Sequence, residues 1–148
     1  MQGKELFVIR AANAGDLAAA VKDAIAHGAS ALNDVLGSPM LHLNRHVIID
    51  ETTALRLPAI FRWPETAEEG GLLGYGPGFV ELFRQRAGMV GKIPRGTKPS
   101  DLPVEQSSTF KLLVNLKTAK AIGLKIPSHF SPTSARGTIH QLQFAIQF

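Results

Sequence analysis

An α/β fold built on parallel strands is predicted by three features of the sequence. Apolar runs of strand length alternate with segments whose apolar residues recur at helical spacing. Glycine, proline and asparagine fall between these segments, where turns are needed. The length of 148 residues, with 45% hydrophobic and 19% charged residues, suits one domain with a proper core. The chain has no cysteine, which excludes disulfide scaffolds, thiol nucleophiles and thiolate metal sites. No apolar run approaches the roughly 18 residues that would mark a membrane span. The opening residues, Met1-Gln2-Gly3-Lys4-Glu5, lack the apolar stretch of a secretory signal. A chain expressed as it stands is therefore expected in the cytoplasm.

Taken in order, residues 5–11 read as a buried strand, because Leu6, Phe7, Val8 and Ile9 are consecutive and apolar. Asn13, with Asp16 three positions on, predicts a helix N-terminus. Leu17, Ala20, Val21, Ala24 and Ile25 then form one apolar stripe, closed by His27-Gly28. Residues 29–36 are strand-like, interrupted by Asn33 and Asp34, and Gly37-Ser38-Pro39 ends them. A second helix is expected from about Leu41 or Asn44 to Leu55, and a short strand over 57–61. Arg62-Trp63-Pro64-Glu65 is the loop leaving that strand. Residues 72–75 form a further strand before Gly76-Pro77-Gly78. Phe79, Leu82, Phe83, Val90 and Ile93 share a helical face, although Gly88 and Gly91 each weaken it by about 1 kcal/mol relative to Ala. Pro94 ends that helix. Residues 95–108 read as an extended crossing, 110–116 as a strand, and 118–122 as a short helix closed by Gly123.

The charge is mildly basic, with 16 Lys and Arg against 12 Asp and Glu. Its cations are scattered, without the interleaved exposed aromatics of single-strand binders or any nucleic-acid motif, so no nucleic-acid partner is expected. His42, His46 and Asp50 lie four apart, a spacing that brings metal ligands together on one helix. Leu43 stands where a zinc protease would need its glutamate, and a plain polar face explains the same three residues. Gly74-Tyr75-Gly76-Pro77-Gly78 precedes a helix but matches neither nucleotide-binding glycine pattern; a sharp turn accounts for it. No nucleophile elbow exists, and the adjacent acidic pairs Asp50-Glu51 and Glu68-Glu69 point apart on a helix. Neither catalysis, a cofactor nor a metal is expected.

Ligands of open α/β sheets sit outside the carboxyl ends of the strands. Those ends carry Ser38-Pro39, Arg62-Trp63 and Tyr75-Gly76, which offer a hydroxyl, a guanidinium and the only indole and phenol in the chain. Such a set can stack an aromatic ligand and clamp a carboxylate; the competing reading is that Trp63 and Tyr75 merely plug a rim.

Several runs carry a resemblance. They are Ser38-Pro39-Met40 with Asn44-Arg45, Leu57-Pro58-Ala59-Ile60-Phe61, and Glu69-Gly70-Gly71-Leu72-Leu73-Gly74-Tyr75-Gly76-Pro77. Asp101-Leu102-Pro103-Val104-Glu105-Gln106 and Asn115-Leu116-Lys117-Thr118-Ala119-Lys120-Ala121-Ile122-Gly123-Leu124 follow. In this order they resemble the solute-binding proteins of ABC transporters, of the tryptophan or amino-acid type. The resemblance implies a type I periplasmic-binding fold, flavodoxin-like, of which residues 1–127 are the C-terminal lobe and its crossings. Residues 128–148 are expected to lie outside the family pattern, with a period-2 stretch from Ile139 that suits an edge strand.

Family members are longer, with two lobes closing on a small solute, so the resemblance implies half a cleft. Ser38, Pro39, Arg62, Trp63, Glu65, Tyr75 and Gly76 are the implied ligand-side residues, Trp63 and Glu65 through an aromatic-x-Glu pattern. A small solute such as an amino acid, aromatic ones included, is the implied ligand, an ABC permease the implied partner, and the periplasm or another extracytoplasmic space the implied location. Glu51, Thr52, Arg86 and Pro94 depart from the pattern at positions where apolar or small residues are usual. A homodimer is expected, because the apolar face of the helix over 79–93 needs cover from a second copy or from the tail after residue 127. The rival readings are a stand-alone ligand sensor or protein-interaction module and a metal-dependent enzyme.

Overall fold

The computed structural model describes residues 5–34, 38–103, 105, 107, 109–127 and 139–145. Asn13 opens the first helix through a 3-10 turn, Ala14–Asp16. Its side-chain oxygen accepts from the Gly15 N–H at 2.8 Å, and its amide donates to Asp16 at 2.9 Å. Helix α1, Leu17–Ala26, buries Leu17, Val21 and Ala24, the stripe read from the sequence less its flank, where Ile25 is exposed. Strand β1, Leu32–Asp34, follows. Helices α2, Pro39–Leu43, and α3, Arg45–Ala54, come next.

The single helix expected here is broken at Asn44. Its backbone leaves helical geometry at φ −110°, and its side-chain amide donates to the Met40 carbonyl at 2.8 Å. That local bond competes with the helical ladder. His42 thus belongs to α2, while His46 and Asp50 belong to α3, and the three do not share a helix.

Strand β2, Ala59–Phe61, short helix α4, Glu65–Glu68, strand β3, Leu73–Gly76, and helix α5, Phe79–Val90, continue the chain. α4 falls where a loop, Arg62-Trp63-Pro64-Glu65 and onward, is expected. Strand β4, Thr109–Asn115, helix α6, Leu116–Ala121, and strand β5, Ile139–Ala145, complete it. The sheet order is β1-β2-β3-β4-β5. β1, β2 and β3 run parallel, as the βαβ alternation requires, and β4 and β5 add antiparallel strands. β5 pairs along the whole of β4, so the tail does supply an edge strand.

Three helices end alike. After α1, α3 and α6 the N–H two residues beyond the C-cap bonds back five residues, Ala29 to Ala24, Leu57 to Thr52 and Leu124 to Ala119, at 2.8 to 3.0 Å. The intervening residue is left-handed in each case: Gly28, Arg56 and Gly123. This is the αL termination that glycine favours, and Arg56 adopts it at φ 53° without that help.

The core joins Leu17 and Val21 of α1, Ile48 and Ile49 of α3, and Leu57, Ala59 and Phe61 on and before β2. A second cluster holds Leu72, Ala119 and Ile122. Between them the Asn115–Thr118 run acts as a polar staple. Buried Asn115 donates to the Ala67 carbonyl at 2.8 Å and caps α6 by accepting from Thr118 N–H at 3.0 Å. Thr118 donates to the Gly70 carbonyl at 2.8 Å.

Two departures from the family pattern are satisfied in place. Thr52 is buried but donates to the Ile48 carbonyl at 2.7 Å, and Glu51 pairs with Lys22 at 3.5 Å. Pro94 sits in an exposed 3-10 turn, Ile93–Arg95, which needs no N–H from it.

The run at residues 5–11 corrects an expectation. It forms no strand, and Leu6 (81%), Phe7 (53%) and Val8 (62%) lie exposed. A buried strand needs a neighbour on its ladder, and among the described residues the sheet ends at β1. Phe7 stacks instead on His27, with ring centroids 4.7 Å apart.

Candidate functional site

The candidate site is a cavity of about 490 Å³ at the carboxyl ends of β1 and β2. Its walls come from several places in the chain, Arg45 of α3 and Thr66 of α4 among them. Asp34 ends β1, Ser38 and Pro39 start α2, Arg62 and Trp63 leave β2, and Phe79, Phe83 and Arg86 stand on α5. Its size falls in the range of small-molecule sites, about 300–1,000 Å³.

Trp63 is held by a close approach of two backbones. β3 passes beneath the 62–64 loop, and a Cβ built on Gly74 would stand 2.5 Å from the Trp63 carbonyl oxygen and 2.7 Å from the Pro64 Cα. No side chain fits there. Gly76 meets the Arg62 carbonyl in the same way. The loop is fixed further by Pro64, which is fully buried, and by Glu65, whose carboxylate accepts from the Phe79 N–H at 2.7 Å. That bond ties α5 to the β2 loop and places an acid at the helix N-terminus, where the dipole favours it.

An aromatic corner results. Phe79 lies edge-on to Trp63 at 5.0 Å and stacks on His42 at 5.4 Å. Phe83 extends the corner at 4.5 Å from Phe79. Arg62 lies over the Trp63 ring at 5.3 Å, and Arg86 over Phe83 at 5.7 Å. Arg45, at the start of α3, is anchored by Glu69 through two bonds of 2.5 and 2.6 Å, so it is a wall rather than a free cation. Arg86, exposed on α5, borders the cavity and is not buried in the core.

Polar groups in and behind this corner are left over. Asp34 Oδ1, His42 Nδ1 and Glu65 Oε2 are buried and have no hydrogen-bond partner. Buried polar atoms are almost always paired, so each orphan marks a place for an unmade bond. Burial pushes the Asp34 carboxyl above its ordinary range, against the pull of His42 and Arg62. The folded state therefore keeps this proton to higher pH than the unfolded chain. Stability contributed here falls as pH rises from about 3.8 through the raised value and is level above it. Asp34→Asn is expected to remove that slope and leave the protein at least as stable at pH 7. Urea unfolding from pH 3 to 8 checks this; an unchanged slope would contradict it.

Of the residues expected at the cleft, Ser38, Pro39, Arg62 and Trp63 meet at this cavity. Glu65 supports it from behind. Tyr75 and Gly76 do not line it. Gly74 and Gly76 face the loop, so alternation turns Tyr75 to the opposite side of β3, where it stacks on Phe110 at 5.8 Å. Asp34, His42, Phe79 and Arg86 were missed as a group. For Asp34 the signal was an acid at the end of an apolar strand. Among the described residues no group of three His, Asp or Glu side chains is placed to hold a metal. No described helix is long and apolar enough to cross a membrane.

The sequence pattern of the family described as ABC transporter substrate binding protein matches residues 3–136, and so runs past Pro127. Among solved structures, a conserved domain protein from Vibrio cholerae is 19% identical with a TM-score of 0.71. An ABC domain in complex with L-Trp from Streptococcus pneumoniae is 22% identical, also with a TM-score of 0.71. Each match covers 80% of this chain and 40% of that structure. A ligand-free, open substrate-binding protein with adhesive properties from Clostridium difficile is 22% identical, with a TM-score of 0.53 over 78% of this chain and 39% of its own. No curated protein matches. The chain thus spans about two-fifths of the solved structures it resembles, and at these identities the likeness is one of fold.

Proposed function

Because the chain belongs to the ABC transporter substrate binding protein family, we propose that it is the solute-gripping lobe of such a protein, extracytoplasmic in an intact relative. The bound solute is a small molecule with an aromatic body and an ammonium group, an aromatic amino acid being the simplest case. One observation carries this reading: the orphaned Asp34 oxygen lines the same cavity as the Trp63–Phe79–His42 corner. An ammonium supplies the hydrogen bond Asp34 lacks and favours its ionised form. The ring of the solute stacks in the corner, and Arg62 and Ser38 meet its carboxylate. The L-Trp held by the Streptococcus pneumoniae domain is in keeping with a ligand of that shape.

A second lobe, closing over α5, would complete the burial and present the closed form to an ABC permease. The exposure of Val80, Phe83 and Val90 on α5 supports a covering partner there. One lobe supplies only part of the burial, so affinity is weak. Thermal unfolding against the amino acids at millimolar concentration tests the proposal. Ligand at 100 times its Kd adds about 2.7 kcal/mol. A rise in Tm with an aromatic amino acid, lost with its deaminated analogue and in Trp63→Ala, is the expected result. No rise with any of the panel would refute it.

A further inference from the structure

The unpaired run at 5–11 and the open edge of β1 belong together. Residues 5–7 lie across from residues 29–33 over a groove of about 810 Å³. Residues 8–12 lie across from Ser38, Met40 and Leu41 over a second groove of about 980 Å³, with α1 residues between. The facing residues thus follow one another in the same order along the run as along β1 and α2, and among the described residues no backbone hydrogen bond joins the run to β1. Among the described residues no strand pairs with the edge it faces. Leu32 N–H donates to the Pro58 carbonyl on the β2 side at 2.8 Å. Alternation then points the backbone groups of Ala31 and Asn33 into the gap.

We infer that this gap is filled by residues 5–10 of a second copy, in a reciprocal strand exchange. Each copy inserts its run between the partner's run and the partner's β1. The order across the junction is β1 of one copy, the partner's run, the first copy's run, and β1 of the partner. A two-fold axis between the two central runs makes them antiparallel, and the arrangement closes on itself as a dimer. The sequence is self-complementary about that axis. With the dyad between Phe7 and Val8, Glu5 of each copy stands opposite Arg10 of the other, Leu6 opposite Ile9, and Phe7 opposite Val8. Opposite charges and large apolar residues directly across a ladder are the favourable pairs. The exchange covers the exposed Leu6, Phe7 and Val8 and caps an open sheet edge, a feature that otherwise invites uncontrolled pairing. This surface is separate from the α5 face and shares only Ser38 with the lining of the solute cavity.

Light scattering across concentration, with variants in the run, tests it. The unaltered chain is expected to be a dimer. Val8→Pro removes a ladder donor at an exposed position outside every helix and strand, so the domain keeps its circular dichroism while the dimer Kd rises roughly a hundredfold or more. Glu5→Arg and Arg10→Glu each place like charges across the axis and are expected to weaken self-association. Mixed together, the two variants pair opposite charges at both ends and form a heterodimer. A chain monomeric at every concentration would overturn the proposal. So would a dimer that survives Val8→Pro, which would point to the α5 face, or a mixture that fails to recover association.

Discussion

Phe61→Ala is expected to lower the unfolding free energy by about 3–5 kcal/mol, the cost of emptying a large buried aromatic site. Phe61 is 2% exposed and is among the largest fully buried side chains described. Its ring touches the core formed by α1 and α3, and its edge lies where a Cβ on Gly71 would come within 2.9 Å. Neighbours held by sheet and backbone collapse poorly into the space. Domains of this kind have only about 5–15 kcal/mol in total, so this one substitution removes a large share. Urea denaturation of Phe61→Ala beside Phe61→Leu measures it. A loss below about 1 kcal/mol would mean the core is looser than its burial implies.

Gly74→Ala is expected to damage both the fold and the site. The added methyl meets the Trp63 carbonyl and the Pro64 backbone, and backbone atoms cannot swing aside as a side chain does. The 62–64 loop must lift off β3, at a cost of roughly 1–3 kcal/mol or more. Lifting it carries Trp63 away from Phe79 and breaks the aromatic corner. Phe61→Ala weakens the protein without reshaping the cavity, whereas Gly74→Ala loses solute binding even under conditions where it stays folded. Circular dichroism and ligand-dependent Tm, measured on both, separate the two effects. Normal binding by folded Gly74→Ala would show that Trp63 is not held by this approach.

Much of this architecture was legible because it rests on local signals. The α1 stripe, the endings at Gly28 and Gly123, and the Arg62-Trp63 loop after β2 all follow from period, cap chemistry or strand ends. What was not legible depends on distant parts of the chain. Residues 5–11 have every intrinsic mark of a strand, yet a strand exists only where a ladder receives it. The break at Asn44 turns on one side-chain bond to Met40, which helical period does not register. Tyr75 looked like a partner of Trp63 by position alone, and the facing of Gly74 and Gly76 toward the loop sent it to the other side of β3. Arg86 looked misplaced on an apolar face because that face borders the cavity and not the core.

Trp63 is the only tryptophan, so its fluorescence reports on the cavity and on nothing else in the chain. The most direct measurement is a titration of that emission with L-phenylalanine, which has no indole of its own, at pH 7.5. The account predicts a saturable change in intensity and wavelength, and a much weaker one with 3-phenylpropionate, which lacks the ammonium that Asp34 receives. Emission that stays flat into the millimolar range with L-phenylalanine and the other non-indole aromatic amino acids would contradict it. An equal response to 3-phenylpropionate would contradict the role given to Asp34.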